Sequence, residues 1–194
     1  LSPLASLVNL KELALGGNPI DNDDLSDLSG LVNLQQLRLE GGPEGVFISD
    51  ISSLSSLVNL KELYMPGNQI TEISESDFSQ LVKLEKLDLI NNQVTDISGI
   101  SSLGNLKELL LNDNLVTDIS DLSGLVNLRY LNLKNNQVSN VSSLSTLTGL
   151  ERLDLPNNQI SIIPNLSDLN NLRNLNLGTN QISGISGLTG LINL

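Results

Sequence analysis

The chain has 194 residues and a formal net charge of −12 at pH 7, with no Cys, no His and no Trp. The absence of Cys excludes a disulfide scaffold and zinc–thiolate sites, and the absence of both Cys and His removes thiol nucleophiles and the commonest general base. No run of about 18 apolar residues occurs in the sequence, which therefore predicts no transmembrane span.

The pattern L-x-x-L-x-L-x-x-N recurs along the whole chain. A fixed period of 22 residues, which the last five copies keep, is typical of a solenoid in which each repeat packs on its neighbours. We therefore predict a single domain over residues 1–194 with about eight repeats and one continuous core. The first leucines of the eight copies are Leu10, Leu34, Leu60, Leu84, Leu106, Leu128, Leu150 and Leu172.

Each repeat predicts one short strand. In the copy that begins at Leu106, Leu109 and Leu111 are two residues apart, so both point into the core while the residues around them point outward. The Asn three residues later lies where the chain leaves the strand, and its amide can satisfy backbone groups of its own and the neighbouring turn. We predict a structural asparagine ladder, to which seven repeats contribute: Asn18, Asn68, Asn92, Asn114, Asn136, Asn158 and Asn180.

The return of the chain to the next strand has its own spacing. Ile119, Leu122 and Leu125 follow one another at steps of three, with Ser, Gly and Asn between the repeats' apolar residues. This spacing and composition favour short 3-10 turns or irregular chain over a full α-helix.

The first three repeats are longer than the others, by two, four and two residues. The extra residues fall around Asp21–Asp24, Glu40–Phe47 and Ser74–Asp77, where we expect loops that project together on one side. Acidic side chains of the first insertion could bind calcium, since hard cations need several oxygen ligands. Their spacing lacks the glycine and the distal Glu of an EF-hand loop, so we favour a solvated acidic loop and predict no metal site. These residues are Asp21, Asp23, Asp24 and Asp27.

Both ends of the sequence fall inside the repeat pattern. Leu1, Leu4 and Leu7 occupy late positions of a repeat whose strand is missing, and Leu194 is the first leucine of a ninth repeat. Because a stacked array needs capping units, we expect this chain to be a segment of a longer array. The alternative is that an end pairs with another molecule.

The whole chain resembles leucine-rich repeat proteins of the short 22-residue class, which includes bacterial internalins and a regulatory subunit of type-1 protein phosphatase. The phrases at Asn92–Ser98 and Asn158–Ile160 are similar to the internalin style of repeat. The resemblance implies an α/β, β-dominated, right-handed horseshoe solenoid with a parallel concave sheet and short 3-10 or irregular convex segments. It also implies protein recognition at the bacterial cell surface or outside the cell, with an intracellular phosphatase-type regulator as the alternative.

Charge is distributed unevenly between the two sides of the repeats. The strand segments hold nine basic and nine acidic residues, whereas the rest of the chain holds thirteen acidic residues against Lys83 alone. The sequence therefore predicts a strand face of mixed charge and an acidic convex side. We predict no nucleic-acid partner, because no basic stripe can replace phosphate counterions, and no membrane insertion.

Unlike charges fall at equivalent positions of neighbouring repeats. Adjacent strands of a parallel sheet lie about 4.8 Å apart, so these side chains are expected to form cross-strand pairs. Glu85 falls between Lys61 and Lys107, Lys86 between Glu62 and Glu108, and Glu151 between Arg129 and Arg173.

Apolar side chains at outward-facing strand positions gather on repeats three to six, where Pro66 accompanies both tyrosines of the chain. Exposed apolar patches and Tyr are typical of binding hot spots, although scattered exposed apolar residues are ordinary. We predict that a protein partner binds the concave strand face here, with Tyr64, Ile90, Leu110 and Tyr130 as anchors. The expected polar surround is Arg38, Asp88, Lys134 and Arg152.

The sequence does not predict an enzyme or a cofactor. Asp88 and Asp154 share an outward column but lie three strands apart, about 14 Å, whereas glycosidase carboxylates stand roughly 5–9.5 Å apart. No Gly-rich phosphate loop leads from a strand into a helix. Two hypotheses remain: a protein-recognition module, and a structural or self-assembling array that stacks end to end.

Overall fold

The computed structural model describes residues 1–42 and 45–194. Eight parallel strands of three residues each form one open sheet in chain order, so that each inner strand pairs with the strands before and after it and the first and last strands are the edges. The predicted parallel sheet is confirmed. The strands are β1 Glu12–Ala14, β2 Gln36–Arg38, β3 Glu62–Tyr64, β4 Lys86–Asp88, β5 Glu108–Leu110, β6 Tyr130–Asn132, β7 Arg152–Asp154 and β8 Asn174–Asn176.

The register of the sheet follows the leucines. The central residue of every strand is a leucine that pairs with the central leucine of the next strand, as Leu87 pairs with Leu109. Leu106, Leu109 and Leu111 are completely buried, and the equivalent residues of neighbouring repeats stack on them in one continuous core. The alternation of side chains along a strand therefore leaves the residues that flank the central leucine facing outward.

Short 3-10 turns form the returns between strands, as the three-residue spacing predicts. Representative turns are Ser52–Ser56, Ser98–Ser102, Ser120–Gly124 and Ser142–Thr146. In these repeats an Asp or Asn stands two residues before the first serine of the 3-10 segment and accepts a hydrogen bond from the backbone N–H of that serine. Asp118 accepts in this way from Ser120, at 2.8 Å. This is a local turn that short polar side chains stabilise, and it precedes the 3-10 segments that begin at Ser52, Ser98, Ser120 and Ser142.

The insertions of the first and third repeats form single turns of α-helix rather than the predicted loops. These turns are α1 (Asn22–Leu25) and α2 (Glu75–Phe78), and each begins with a capping box. The Asp21 carboxylate accepts hydrogen bonds from the backbone N–H groups of α1, and Asp24 accepts one from the N–H of Asp21. Part of the predicted acidic loop is therefore a helix start.

The segment just after the second insertion is held to the first insertion. The Asn22 side chain accepts hydrogen bonds from the backbone N–H groups of Ser49 and Asp50, at 2.9 and 3.1 Å. Phe78 is buried where other repeats have a core leucine. Residues 43 and 44 of the insertion expected around Glu40–Phe47 lie outside the described residues.

Buried asparagines connect each repeat to the one before it. The Asn114 amide donates to the carbonyls of Leu111 in its own repeat, at 3.0 Å, and of Leu89 in the preceding repeat, at 2.9 Å. Its Oδ1 accepts a hydrogen bond from the Val94 N–H, also in the preceding repeat, at 2.9 Å. The same arrangement recurs at Asn68, Asn92, Asn136, Asn158 and Asn180, each of which donates to and accepts from the preceding repeat.

The first asparagine of the series, Asn18, differs from the buried ones. It is exposed and donates only to the carbonyls of Leu15 and Gly16 in its own turn. In the second repeat Gly42 takes the place of the asparagine, and a Cβ there would lie 2.3 Å from the Asn18 carbonyl oxygen. The close approach of the two backbones therefore requires glycine at this position.

A second series of polar residues precedes the buried asparagines. The backbone there has a positive φ, between 52° and 61°, at five non-glycine residues: Asn91, Asp113, Asn135, Asn157 and Thr179. Left-handed backbone is tolerated best by Gly, Asn and Asp. The side chains also connect repeats, because Asn157 donates to Asn135 at 2.5 Å and Asn135 donates to Asp113. The hydrogen bond from Asn135 lowers the pKa of the Asp113 carboxyl.

A third series lies at the other end of the strands. An asparagine stands immediately before the first leucine of most repeats. Its amide donates to a backbone carbonyl in the preceding repeat, that of the residue two positions before the first leucine there. Asn33 donates to Val8 at 2.9 Å, and Asn59 donates to Val32 at 2.8 Å. The series continues with Asn105, Asn127, Asn171 and Asn193.

Replacing a buried asparagine should destabilise the fold. Asn114→Ala leaves the buried Val94 N–H without its acceptor and removes one of the two asparagine donors from each of the Leu89 and Leu111 carbonyls. We expect the free energy of unfolding to fall by about 1–3 kcal/mol. Asn18→Ala is the matched control, since its amide is exposed and bonds only its own turn, and it should cost clearly less. Urea unfolding followed by circular dichroism measures both, and equal losses would contradict the role of the inter-repeat bonds.

The positive φ of Thr179 predicts a stabilising substitution. Thr179 has a φ of 52°, which a β-branched residue adopts at a cost, whereas Asn occupies this position in three other repeats. We expect Thr179→Asn to raise the free energy of unfolding by about 0.5–1 kcal/mol. Thr117→Asn, at an exposed site where the φ is not positive, should change it little. The same urea titration tests both, and similar effects at the two sites would rule out backbone strain as the cause.

Candidate partner-binding face

The sheet offers one outward surface, because its other side is packed into the core. Two rows of outward residues flank the central leucines and run across all eight strands in the register that the sequence predicts. The first row is Glu12, Gln36, Glu62, Lys86, Glu108, Tyr130, Arg152 and Asn174. The second row is Ala14, Arg38, Tyr64, Asp88, Leu110, Asn132, Asp154 and Asn176.

Tyr64 lies at the centre of a polar cluster on β2 to β4. The Arg38 guanidinium lies 3.9 Å from the centre of its ring, and the Lys86 ammonium lies 5.4 Å from it. The Tyr64 hydroxyl donates to the Glu62 carboxylate at 2.7 Å, and the Gln36 amide donates to the same oxygen at 2.5 Å. The Tyr64 hydrogen bond lowers the pKa of the Glu62 carboxyl, and burial raises the pKa of the Tyr64 phenol. The ring is therefore held in place from both sides.

Tyr130 forms a second cluster, on β6 and β7. The Arg152 guanidinium lies 4.8 Å from the centre of its ring, and Arg152 Nε donates to Asp154 at 2.8 Å. The Tyr130 hydroxyl donates to the same Asp154 oxygen at 3.0 Å and accepts from the Asn132 amide at 3.3 Å. Burial raises the pKa of the Tyr130 phenol. The two tyrosines thus lie in separate but similarly built clusters.

Leu110 and Ile90 lie between the two clusters. Leu110 pairs with Asp88 on one side and with Asn132 on the other. Both apolar residues are partly buried, as are Tyr64 and Tyr130. The structure therefore brings the four predicted anchors onto four consecutive repeats as a half-buried band. Tyr64, Leu110 and Tyr130 lie on β3, β5 and β6, and Ile90 lies two residues beyond β4.

The predicted polar surround has mixed roles. Arg38 and Arg152 each cover a tyrosine ring, and Arg38 also lies 3.5 Å from the Glu40 carboxylate. Asp88 is partly buried and accepts a hydrogen bond from the Ile90 N–H at 3.1 Å. Burial raises the pKa of the Asp88 carboxyl. Lys134 is exposed at the far side of the band.

Cross-strand ion pairs form at each of the three expected alternations. Lys107 lies 2.6 Å from Glu85, Lys86 lies 2.7 Å from Glu108, and Arg129 lies 3.3 Å from Glu151. In each set of three residues, the central one pairs with only one of its two neighbours. Lys86 does not pair with Glu62, because the Glu62 carboxylate already accepts hydrogen bonds from Tyr64 and Gln36. These pairs are largely exposed, so each contributes about 0–1 kcal/mol.

A shallow groove of about 440 Å³ runs beside Tyr130. Its lining contains one aromatic ring among charged side chains, each of which forms an ion pair. The groove can therefore hold an apolar side chain of a partner against the ring while its rim makes polar contacts. The lining residues are Lys107, Glu108, Arg129, Tyr130, Glu151 and Arg152.

The largest exposed apolar side chains lie away from this face and were not singled out from the sequence. Ile162 and Ile185 are 75% and 69% exposed on the returns, and five valines, four of them in consecutive repeats, line the edge where the chain enters the strands. Their signal in the sequence is an apolar residue at a position that the leucine pattern leaves outside the core.

The described part of the chain contains no group of three or more Asp or Glu side chains placed to hold a metal ion. Within the same residues, no helix is long and apolar enough to cross a membrane.

Comparison with known proteins identifies the repeat. Residues 58–102, 104–146 and 148–190 match the family model for leucine-rich repeats (2 copies). The chain is similar to an internalin from Listeria monocytogenes, with 32% identity and a TM-score of 0.90 over 100% of this chain and 55% of that one. It is also similar to internalin C2 of the same organism, with 33% identity and a TM-score of 0.86 over 98% and 81% of the two chains.

A third similar structure is a leucine-rich repeat protein of Leptospira interrogans, with 27% identity and a TM-score of 0.88 over 100% of this chain and 49% of that one. The chain therefore spans about half of the length of two of these three proteins. No curated protein matches it.

The partly buried carboxyl of Asp88 predicts a pH-dependent gain in stability. Asp88→Asn can keep the hydrogen bond to the Ile90 N–H, because Asn132 makes the same bond to the Lys134 N–H at 3.0 Å in the same row. Since burial raises the pKa of the Asp88 carboxyl in the folded state, the charged form is disfavoured there and its removal should raise the free energy of unfolding at pH 7.

The gain from Asp88→Asn should be full above the raised pKa and should vanish below the ordinary Asp pKa of about 3.9, where the wild-type carboxyl is neutral in both states. Urea unfolding of both proteins across this pH range measures it. A gain that does not change with pH would contradict the desolvation argument.

Proposed function

The chain belongs to the leucine-rich repeat family and is internalin-like within it, and we propose that it is a non-enzymatic recognition module that binds a protein partner on its strand face. The observation that carries the proposal is the band formed by Tyr64, Ile90, Leu110 and Tyr130 at mid-array. Aromatic and Arg side chains on a rigid scaffold are typical of interface hot spots.

The two tyrosine clusters support a preorganised interface. Each ring has a cation over its face and a carboxylate on its hydroxyl, as Tyr64 has from Arg38 and Glu62. These contacts restrict the side-chain rotamers before a partner arrives. Binding then costs less conformational entropy, which raises the affinity obtained from a given contact area.

The charges around the band favour a partner surface of mixed charge. Arg38, Asp88, Lys134 and Arg152 surround the apolar residues, whereas the returns are strongly acidic. Complementary charges at the rim of an interface contribute mainly to specificity and association rate. We therefore propose that the four anchors contribute most of the affinity and that the four charged residues select the partner.

We propose an extracellular or cell-surface bacterial setting for this recognition. The support is the similarity to two Listeria internalins, at 32% and 33% identity. The cytoplasmic setting and a regulatory role on an enzyme such as a phosphatase remain the alternative predicted from the sequence.

The second hypothesis, an array segment that stacks end to end, makes a different prediction about association. Self-assembly would depend on protein concentration and would not depend on Leu110 or Tyr64. Light scattering over a concentration series distinguishes it from recognition of a different partner, because a recognition module should remain monomeric until the partner is added.

Removing two anchors should abolish partner binding. We expect Tyr64→Ala combined with Leu110→Ala to eliminate binding of peptides selected from a displayed random library against the wild-type chain, because both truncations fall in the band. Circular dichroism melting should show that the double variant remains folded.

The matched control removes two apolar side chains of greater exposure from the returns, as Ile162→Ala with Ile185→Ala. Most selected peptides should still bind this control. If the control loses the peptides and the Tyr64 and Leu110 variant retains them, the strand face is not the recognition surface.

A further inference from the structure

Four consecutive repeats expose a valine just before each strand. Val8, Val32, Val58 and Val82 are 40–47% exposed, and each stands two residues before the first leucine of its repeat. We refer to these four residues as the valine row. Because the inward positions of the repeats are filled by leucines, the valines have no core position to occupy.

The backbone under the valine row is fixed. The amides of Asn33, Asn59 and Asn105 donate to the carbonyls of Val8, Val32 and Val82, at 2.9, 2.8 and 2.8 Å. The row is therefore a preformed apolar stripe rather than a set of flexible loop residues.

Lysines line the same edge of the sheet. Equivalent positions on the first four repeats are occupied by Lys11, Gln35, Lys61 and Glu85. The backbone N–H groups of the last three donate to the carbonyl of the equivalent residue in the preceding repeat, at 2.7–2.8 Å. Both lysines are exposed, and in the described residues neither ammonium lies within ion-pair distance of a carboxylate. The Glu85 carboxylate is engaged by Lys107.

A further cation joins this edge at Lys83, whose ammonium donates to the Asn59 amide oxygen at 2.6 Å. The edge of the first four repeats thus combines four exposed valines with Lys11, Lys61 and Lys83, in a chain whose net charge is −12. This concentration of positive charge is complementary to an acidic ligand.

We propose that the valine row and its three lysines bind an acidic amphipathic helix of a partner protein. Neighbouring repeats are about 4.8 Å apart at the sheet, and an α-helix rises 5.4 Å per turn, so one apolar residue per turn can contact one valine per repeat. Over the three steps of the row the two spacings differ by only about 2 Å. An extended strand presents a side chain to the same face about every 6.7 Å, so its side chains lose alignment with the valines over fewer repeats.

The length of the row defines the length of the helix. Gly104 takes the equivalent position in the fifth repeat, so the stripe ends after Val82. Val126 is 50% exposed in the same series but stands alone between Gly104 and Thr148. The partner helix should therefore contact the row over about three to four turns, with carboxylates on the side that faces the lysines.

A labelled model helix tests this assignment directly. The probe is a fluorescein-labelled Ala-rich peptide of about 15 residues with one Leu per turn along one edge and Glu beside that edge. Fluorescence anisotropy should show binding to the wild-type chain that weakens with added salt, because lysines contribute to it. A second probe with Lys in place of every Glu should bind at least about tenfold more weakly.

Matched substitutions locate the binding surface. Val32→Ser with Val58→Ser should weaken binding of the acidic probe about tenfold or more, whereas Val126→Ser should leave it unchanged. Lys11→Gln with Lys61→Gln should weaken it and reduce its salt dependence, whereas Arg173→Gln, in the same series of positions but outside the row, should not. Leu110→Ala should have no effect, so failure here is distinguishable from failure of the strand-face proposal.

Several results would overturn the assignment. No binding of the acidic probe, equal binding of both probes, or equal losses in the valine pair and in Val126→Ser would each exclude a specific acidic helix. Vesicles containing anionic phospholipid serve as a further probe. If they bind and the valine substitutions remove that binding while the peptide does not bind, the edge contacts a lipid surface instead.

Discussion

Three-residue strands leave backbone groups at both ends without a partner in the sheet, and where these groups are buried they need hydrogen-bond partners from the protein. Asn114 of the adjacent repeat supplies such partners at the buried end of a strand. Asn33 makes a similar but exposed bond where the chain approaches the next strand. The leucine core provides most of the free energy of burial, but the asparagines fix how one repeat sits on the previous one. Both proposed binding surfaces are built on this spacing of repeats.

The leucine spacing is sufficient to predict the sheet, its register and the 3-10 returns, because every repeat packs its leucines into the core at the same positions. The non-repeating parts were harder to predict. Asp21–Asp24 and Ser74–Asp77 contain capping-box residues, yet the sequence predicts loops there because the surrounding apolar pattern is too short to indicate a helix. The polar residues before the buried asparagines also carried a signal, since Gly, Asn and Asp favour positive φ.

The sequence predicted which residues share the outward face but not how their side chains interact. Glu62 was expected to pair with Lys86, and instead it accepts hydrogen bonds from Tyr64 and Gln36. Such choices depend on the rotamers and burial of several neighbours at once, which spacing alone does not specify. The binding role of Tyr64, Ile90, Leu110 and Tyr130 therefore stays a prediction, although the structure places them on four consecutive repeats.

Between repeats, the side chains of the buried asparagines all form hydrogen bonds in one direction, to the repeat on the amino-terminal side. A repeat therefore completes the hydrogen bonds of its own turn only when the asparagine of the following repeat is in place. The Val94 N–H donates to Asn114, and the Leu89 carbonyl, which already accepts from Asn92, gains a second donor from Asn114. During synthesis from the amino terminus, ordered structure should consequently trail the growing chain by about one repeat. Each newly added repeat therefore stabilises the repeat that has already formed.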